Sequence, residues 1–441
     1  MRVIGLLDCN SFFASCEKVF HPAWEHRAVV VLSNNDGCVV ARSPEAKALG
    51  IAMGVPYFQI KRLADAGAVI VCSSNYSLYA DMSHRVMQTI RQWSGDIEIY
   101  SIDESFIDLT GRFCGHSVEN FQITTEQTRE LNDLAHEMVA TVPKWTGIPV
   151  ALGIGPTKTL AKAANRLAKQ TGVRYCSLLD EQRRPQRLAR LAIGDVWGVG
   201  RRLLTSFQKL GLKTALDLTK VEPSWMRKNF SIVEERLVRE LRGEPCYELE
   251  SQPPPRQNIQ VSRSFGEPVE SLQELEKAVS SFATKGAKRL RDEGTVATAV
   301  SVGIYTSRFR TDLPQYTPVG MQGLTLPTDS TFEILRTALS ILRNIYRPEI
   351  AYKRASVLLM NTVDKKVAAS QKRLFDPDPD VPAERRERED RLLKKVDEFN
   401  RRSGSGHLFF ASEGIDRAWR PSSQFVSPCY TTRWEDLPVA R

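Results

Sequence analysis

No stretch of this chain reaches the ~20 consecutive apolar residues that a bilayer-spanning helix needs, so a membrane span is not expected. The opening MRVIGLLDCNSFF passes from a short apolar run straight into acidic and polar residues, which is unlike a secretory leader; a cytoplasmic protein is expected. Cysteine is sparse and scattered: eight residues, from Cys9 to Cys429, with no CxxC pair and no Cys/His cluster of zinc spacing. Neither a disulfide framework nor a structural zinc is expected. The six histidines show no metal-ligand spacing, and there is no internal repeat that would indicate a solenoid.

What is present is an ordinary globular composition with a basic excess. At 441 residues the chain is too long for one compact core and is expected to form three or four domains. Its 61 Lys and Arg against 52 Asp and Glu give a formal charge of +9. The isoelectric point is about 9.1 and the mean hydropathy −0.30. Such a balance favours a polyanionic partner, because neutralising phosphates releases counterions.

Along the chain, RVIGLLD (2–8) reads as a buried strand ending on an acid, and SFFASCEKVF (11–20) has helical apolar spacing. RAVVVLS (27–33) is a second strand, followed by the turn NNDG (34–37). Ser43 and Pro44 have the types of an N-cap and first helical residue, with Gly50 as the stop. IEIYSID and ESFIDLT (97–110) predict a hairpin turning at Asp103-Glu104. A long helix (124–143), a strand (150–155) and a lysine-bearing helix (157–170) complete a domain with a central sheet. Residues 171–243 read as short basic helices, EPCYELESQPPPRQ (244–257) as an extended linker, and about 259–362 as a separate small α/β domain. Beyond it, FDPDPDVPAERRERED predicts a loop and then a solvated, charge-laced helix.

Asp8, Asp103 and Glu104 stand at strand ends, where acids commonly just form turns. If their strands are neighbours, the three carboxylates converge at one sheet edge and offer the oxygen ligands that Mg²⁺ prefers. The motifs around them decide between these readings. DCNSFF (8–13), SNYSLYADMS (74–83), YSIDESFIDLTG (100–111) and GIGPTKTLAKAANRLAK (153–169) occur in the order found in the Y-family translesion DNA polymerases. VVVLSNNDGCVVAR, DVWGVGRR, VRELRGEPC, SRSFGEP, HLFFASEGI and SPCYTTRWEDLP extend the resemblance to the UmuC type over essentially the whole chain.

The resemblance implies a multidomain α+β, right-hand polymerase. Its parts are a palm of mixed sheet plus helices (1–12 and 79–170), small fingers (13–78) and a helical thumb with a helix-hairpin-helix (171–243). A linker (244–258), an α/β little finger (259–362) and a UmuC-type C-terminal segment (363–441) follow. It implies error-prone synthesis across damaged bases by nucleotidyl transfer with two Mg²⁺ ions, as part of the SOS response, at the nucleoid. Asp8, Asp103, Glu104 and the carbonyl of Cys9 fall at its metal-binding positions, and Phe13 at the steric gate that rejects a ribose 2′-OH. A Tyr and an Arg that grip the dNTP phosphates in many members are here Pro44 and Lys47; Lys47 keeps charge without a bidentate fork, and Arg42 is the compensating candidate.

Lys158, on the first turn of a helix after Gly153-Ile154-Gly155, is a second expected triphosphate contact. Gly198 and Gly200, followed by Arg201 and Arg202, have the make-up of a turn that grips primer–template phosphates without reading sequence. Gln371, Leu374 and Phe375 in QKRLF resemble a peptide for the bacterial sliding clamp. A processed UmuD-type subunit and a recombinase filament are further implied partners. No second cluster of strand-end acids suggests a proofreading exonuclease. Two other readings stay open on the residues alone: a nucleotide cyclase with a palm-like sheet, and a DNA- and clamp-binding scaffold without catalysis.

Overall fold

The computed structural model describes residues 2–114, 123–252, 254–370, 383–404, 406–416, 419 and 421–438. They form two compact units: Met1–Ser33, Gly37–Pro253 and Phe425–Arg441 in the first, Asn34–Asp36 and Pro254–Gln424 in the second.

The first unit opens with strand β1 (Ile4–Cys9) and helix α1 (Phe12–Val19). Next come β2 (Val29–Leu32), β3 (Val39–Arg42), the short helices α2 (Pro44–Ala48) and α3 (Tyr57–Asp65), and β4 (Ile70–Ser73). Helix α4 (Tyr76–Ile90) leads to β5 (Ile97–Ile99) and β6 (Glu104–Asp108). Helices α5 (Thr110–Cys114) and α6 (Thr125–Thr146) precede β7 (Val150–Gly155), α7 (Lys158–Thr171) and β8 (Tyr175–Ser177).

The central sheet has the order β5-β6-β1-β7-β8, antiparallel except for the parallel β7–β8 pair. β1 is buried on both faces because alternate residues serve two cores. Val3, Leu7 and Cys9 join the main core with α1, α4 and α6, whereas Ile4 and Leu6 meet Phe106 and Ala161 on the α7 side. Asp8 therefore shares the α7 face with Leu6, and Glu104 shares it with Phe106. The expected hairpin at Asp103-Glu104 is formed by β5 and β6, paired antiparallel.

β3-β2-β4 form a second sheet with its own small core around Val30, Leu32, Val39 and Ile60. Ser43 caps α2, its hydroxyl accepting the Ala46 N–H at 3.3 Å with Pro44 in the first turn, and Gly50 follows at φ 76°. The stretch 171–243 does not begin as helix: β8 lies within it and extends the central sheet beside β7. The rest of that stretch is helical, with α8 (Arg184–Leu188), α9 (Arg201–Lys209), α10 (Ala215–Thr219), α11 (Pro223–Asn229) and α12 (Ile232–Arg242) around Phe207, Leu218 and Leu241.

The second unit runs β9 (Asn258–Val269), α13 (Leu272–Glu293), β10 (Thr295–Tyr305), β11 (Val319–Thr328), α14 (Thr331–Ile345) and β12 (Tyr352–Met360), and its four strands form an antiparallel sheet. Its order is β11-β10-β12-β9, and the two helices share its core. The unit does not stop near 362. Val363–Asp364 pairs with β10, and the charge-rich helix α15 (Ala383–Ser403) is not merely solvated. Leu393 is buried, and the Arg291 guanidinium holds Asp397 at 2.6 Å with both side chains largely buried. Further on, Trp419 is buried against Phe265 and Phe282. The charged helix and this tryptophan thus make residues past 362 part of a folded unit. Gln371, Leu374 and Phe375 lie outside the described residues.

Candidate active site

Asp8 and Glu104 are direct cross-strand partners in the β1–β6 ladder, and the Cys9 N–H donates to the Asp103 carbonyl at 2.8 Å. The three acids therefore meet at one end of the sheet. Helix α7 lies against this face at very short range. A Cβ on Gly153 of β7 would come within 2.1 Å of the Asn165 nitrogen and 2.3 Å of the Ala161 oxygen, so only glycine admits the helix backbone here. Asn165, buried, donates to the Ala151 carbonyl at 2.8 Å and holds that approach.

Two lysines of α7 use this proximity. Lys169 pairs with Asp8, and Lys162 reaches both oxygens of Glu104 at 3.0 and 3.2 Å. The Lys162 ammonium also lies over the rings of Tyr100 (4.3 Å) and Trp197 (5.1 Å). Burial raises the Asp8 carboxyl to about 6; Lys169 opposes the rise and the neighbouring Glu104 carboxylate adds to it. Two half-buried acids side by side, each drawing an ammonium, make a cation-seeking pair. The Asp103 carboxylate instead accepts from the Ser101 hydroxyl at 2.6 Å. Among the described residues no three His, Cys, Asp or Glu side chains are gathered as a metal-ligand cluster. Asp8 and Glu104, with Asp103 adjoining in backbone, are hard oxygen donors that suit Mg²⁺.

Lys158 is not part of this cluster. It lies 11 residues, or about 16 Å of helix, from Lys169. It is buried, and its ammonium is bound to Glu98 at 2.5 Å. The α7 N-terminus is also filled from within the protein: a Glu240 oxygen accepts the Thr159 N–H at 3.0 Å, and Thr157 caps the helix. This corrects the sequence expectation for Lys158, because the positive helix end already has an internal carboxylate. Lys162 and Lys169 were not singled out from sequence. Their separation by two helical turns was the available signal, but the facing strands carry the decisive information.

Between Asp8 and Phe13 the chain turns through Ser11 at φ 50°, in the left-handed region rare for serine. Lys47 on α2 donates to the Ser11 hydroxyl at 2.9 Å, which brings it beside this turn. Its ammonium is held below the usual lysine range, first by burial and then by Arg42 and Lys169, while Asp8 acts oppositely. Arg42 spends one guanidinium N–H on the Ile51 carbonyl at 2.6 Å. The Phe13 ring stacks on Tyr79, centroids 4.4 Å apart and planes 15° from parallel.

Trp197 and the following turn lie between the short 3₁₀ turn Ile193–Asp195 and α9. Gly198 has φ 89°, a conformation that favours glycine, and Gly200 is the residue preceding α9. Arg201 and Arg202 are exposed on the first turn of α9.

Residues 7–166 match the impB/mucB/samB family, residues 256–374 its C-terminal domain, and residues 390–440 a domain of unknown function (DUF4113). Protein UmuC of Salmonella typhimurium (strain LT2) is 44% identical over 440 residues, 99% of each chain. Protein ImpB of Salmonella typhimurium is 41% identical over 443 residues, 100% of each chain. DNA polymerase IV of Corynebacterium diphtheriae is 28% identical over 341 residues, 76% of this chain and 70% of that one. In fold the chain is similar to the solved Y-family DNA polymerase chimera Dbh-Dpo4(243-245)-Dbh, with TM-score 0.64 and 20% identity over 82% of this chain and 99% of that one. The fold is that of a right-hand polymerase of mixed α+β architecture. The chain belongs to the impB/mucB/samB family, the UmuC type of the Y-family DNA polymerases.

Proposed function

We propose that this protein synthesises DNA on a template past damaged bases, by nucleotidyl transfer assisted by two Mg²⁺ ions, as part of the SOS response at the nucleoid. The pairing of Asp8 with Glu104 across β1 and β6, beside Asp103, is the observation that carries the reading. Asp8, Asp103, Glu104 and the Cys9 carbonyl would hold Mg²⁺, which supplies charge neutralisation and acidifies the primer hydroxyl.

The chain's own groups do the rest. Lys47 and Lys169, with Arg42 behind them, put positive charge where an incoming dNTP brings its phosphates. Phe13, backed by Tyr79, presents a flat ring as the gate against a 2′-OH. The Gly198–Gly200 turn and Arg201 and Arg202 grip primer–template phosphates. The family likeness supports the proposed palm, fingers, thumb and little finger, and a C-terminal segment that binds the sliding clamp through Gln371, Leu374 and Phe375. The same likeness supports a processed UmuD-type subunit and a recombinase filament as partners.

Primer extension with Mg²⁺, clamp and partner subunit over an abasic template tests this reading. Asp103→Ala and Glu104→Ala are expected to abolish extension and leave primer–template binding within about twofold, since phosphate contacts set affinity. Normal extension by either variant would remove the metal assignment. Phe13→Ala is expected to raise ribonucleotide incorporation.

A further inference from the structure

The last described stretch, residues 425–438, belongs to the first unit and lies against the elements that carry the gate. Its attachments are specific. Ser73 and Phe425 exchange two hydrogen bonds: the Ser73 N–H donates to the Phe425 carbonyl at 2.9 Å, and the Phe425 N–H to the Ser73 hydroxyl at 3.0 Å. Asn75 is the N-cap of α4, its Oδ1 accepting the Leu78 N–H at 3.2 Å. The same amide turns its Nδ2 to the Ser427 carbonyl and hydroxyl, each at 3.0 Å, and to the Pro428 carbonyl at 3.2 Å. Tyr430 stacks on Phe20 at the end of α1, 4.7 Å between centroids.

The contact that bears on the site is made by Glu17 of α1. Its side chain is fully buried, and one oxygen, Oε1, accepts both the Tyr79 hydroxyl at 2.6 Å and the Ser427 hydroxyl at 3.1 Å. The other oxygen, Oε2, is buried without a hydrogen-bond partner. A buried carboxyl with only two donors is sensitive to losing either one. Burial also pushes the Glu17 carboxyl above its usual range, with Tyr79 and Ser427 acting against the rise. Tyr79 in turn is the ring on which Phe13 stacks.

We propose that Ser427 is a positioning residue for sugar selection: the C-terminal segment reaches back to Glu17, which sets Tyr79, which sets the plane of Phe13. The segment lies within the 390–440 match to a domain of unknown function, and the proposal gives that part a role in the polymerase itself. It rests on the reading of Phe13 as the gate.

The test is steady-state incorporation by the full chain on primer–template, with matched dNTP and rNTP, for Ser427→Ala, Ser427→Thr and Phe13→Ala. Ser427→Ala is expected to lower discrimination about three- to tenfold, the worth of one hydrogen bond to a buried carboxyl. The change should lie in the kcat/KM for the rNTP, with kcat and KM for the dNTP little altered; Ser427→Thr, which keeps the hydroxyl, restores discrimination. A merely structural role would lower dNTP and rNTP incorporation together and overturns the proposal. If Phe13→Ala loosens discrimination while Ser427→Ala behaves as the parent, the positioning role is wrong and the gate stands. If Phe13→Ala changes nothing, the gate reading falls and takes the proposal with it. Should Ser427→Ala fold poorly by circular dichroism, Asn75→Asp keeps the α4 cap, removes the donors to Ser427, and is expected to give the same selective shift; its absence there overturns the proposal too.

Discussion

Lys158 and Lys169 stand on the same helix, yet their surroundings assign them opposite tasks. Lys169 faces Asp8 at the partly open end of the sheet, whereas Lys158 and Glu98 are buried together away from it. Removing one member of a buried ion pair strands the other charge and costs about 3–5 kcal/mol. Lys158→Ala is therefore expected to lower urea stability by about that amount, with nucleotide KM little changed in the protein that remains folded. Lys169→Ala is expected to do the reverse, raising the KM for dNTP about tenfold or more through lost phosphate attraction, with a small change in urea midpoint. Matched kinetics and urea titrations on the two variants distinguish these outcomes; equal effects on KM would show that the α7 cluster is not the triphosphate contact.

At the scale of elements, the contact of α7 with the sheet governs where both lysines point. Gly153 is its closest approach, and the atoms an added methyl would meet are backbone, which cannot rotate aside. Gly153→Ala is expected to cost about 3 kcal/mol or more and to reduce extension, because α7 must back away from Asp8 and Glu104. Unchanged thermal stability would contradict this packing. Helix α1 carries a second testable element in Glu17, whose surroundings are Tyr79, Ser427 and His21. Its folded pKa lies above the unfolded one, so the group favours the folded state most at low pH and loses that contribution as pH rises through the folded value. The stability advantage of the parent over Glu17→Gln should therefore shrink from pH 4 to pH 8. Urea midpoints across that range check it, and a pH-independent difference would count against a raised Glu17.

For the molecule as a whole, the two units have separate cores. Among the described residues, no side chain of the cluster around Phe265, Phe282 and Tyr352 is shared with those of the first unit. Separate cores joined by a proline-rich segment without regular structure at 254–257 are expected to melt in more than one calorimetric transition. Arg291→Ala, which strands Asp397, should lower only the transition of the second unit. A single transition shifted as a whole would show that the units unfold as one.

Much of the local structure was legible in the chain because it depends on neighbours in sequence. Short apolar runs marked β1, β2 and β7, helical spacing marked α1, Ser43-Pro44 marked the start of α2, and the β5–β6 hairpin put Asp103 and Glu104 at a turn. Ordered motifs likewise marked the family. Other features needed the folded chain. The parallel pairing of β8 with β7, the Glu240 carboxylate in the α7 N-terminus, and the return of Ser427 to Glu17 join residues 23 to 410 positions apart. The choice of Lys169 over Lys158 was of the same kind: helical spacing gives the angle between two side chains, but only the packing of α7 on β1 and β6 decides which one meets the acids.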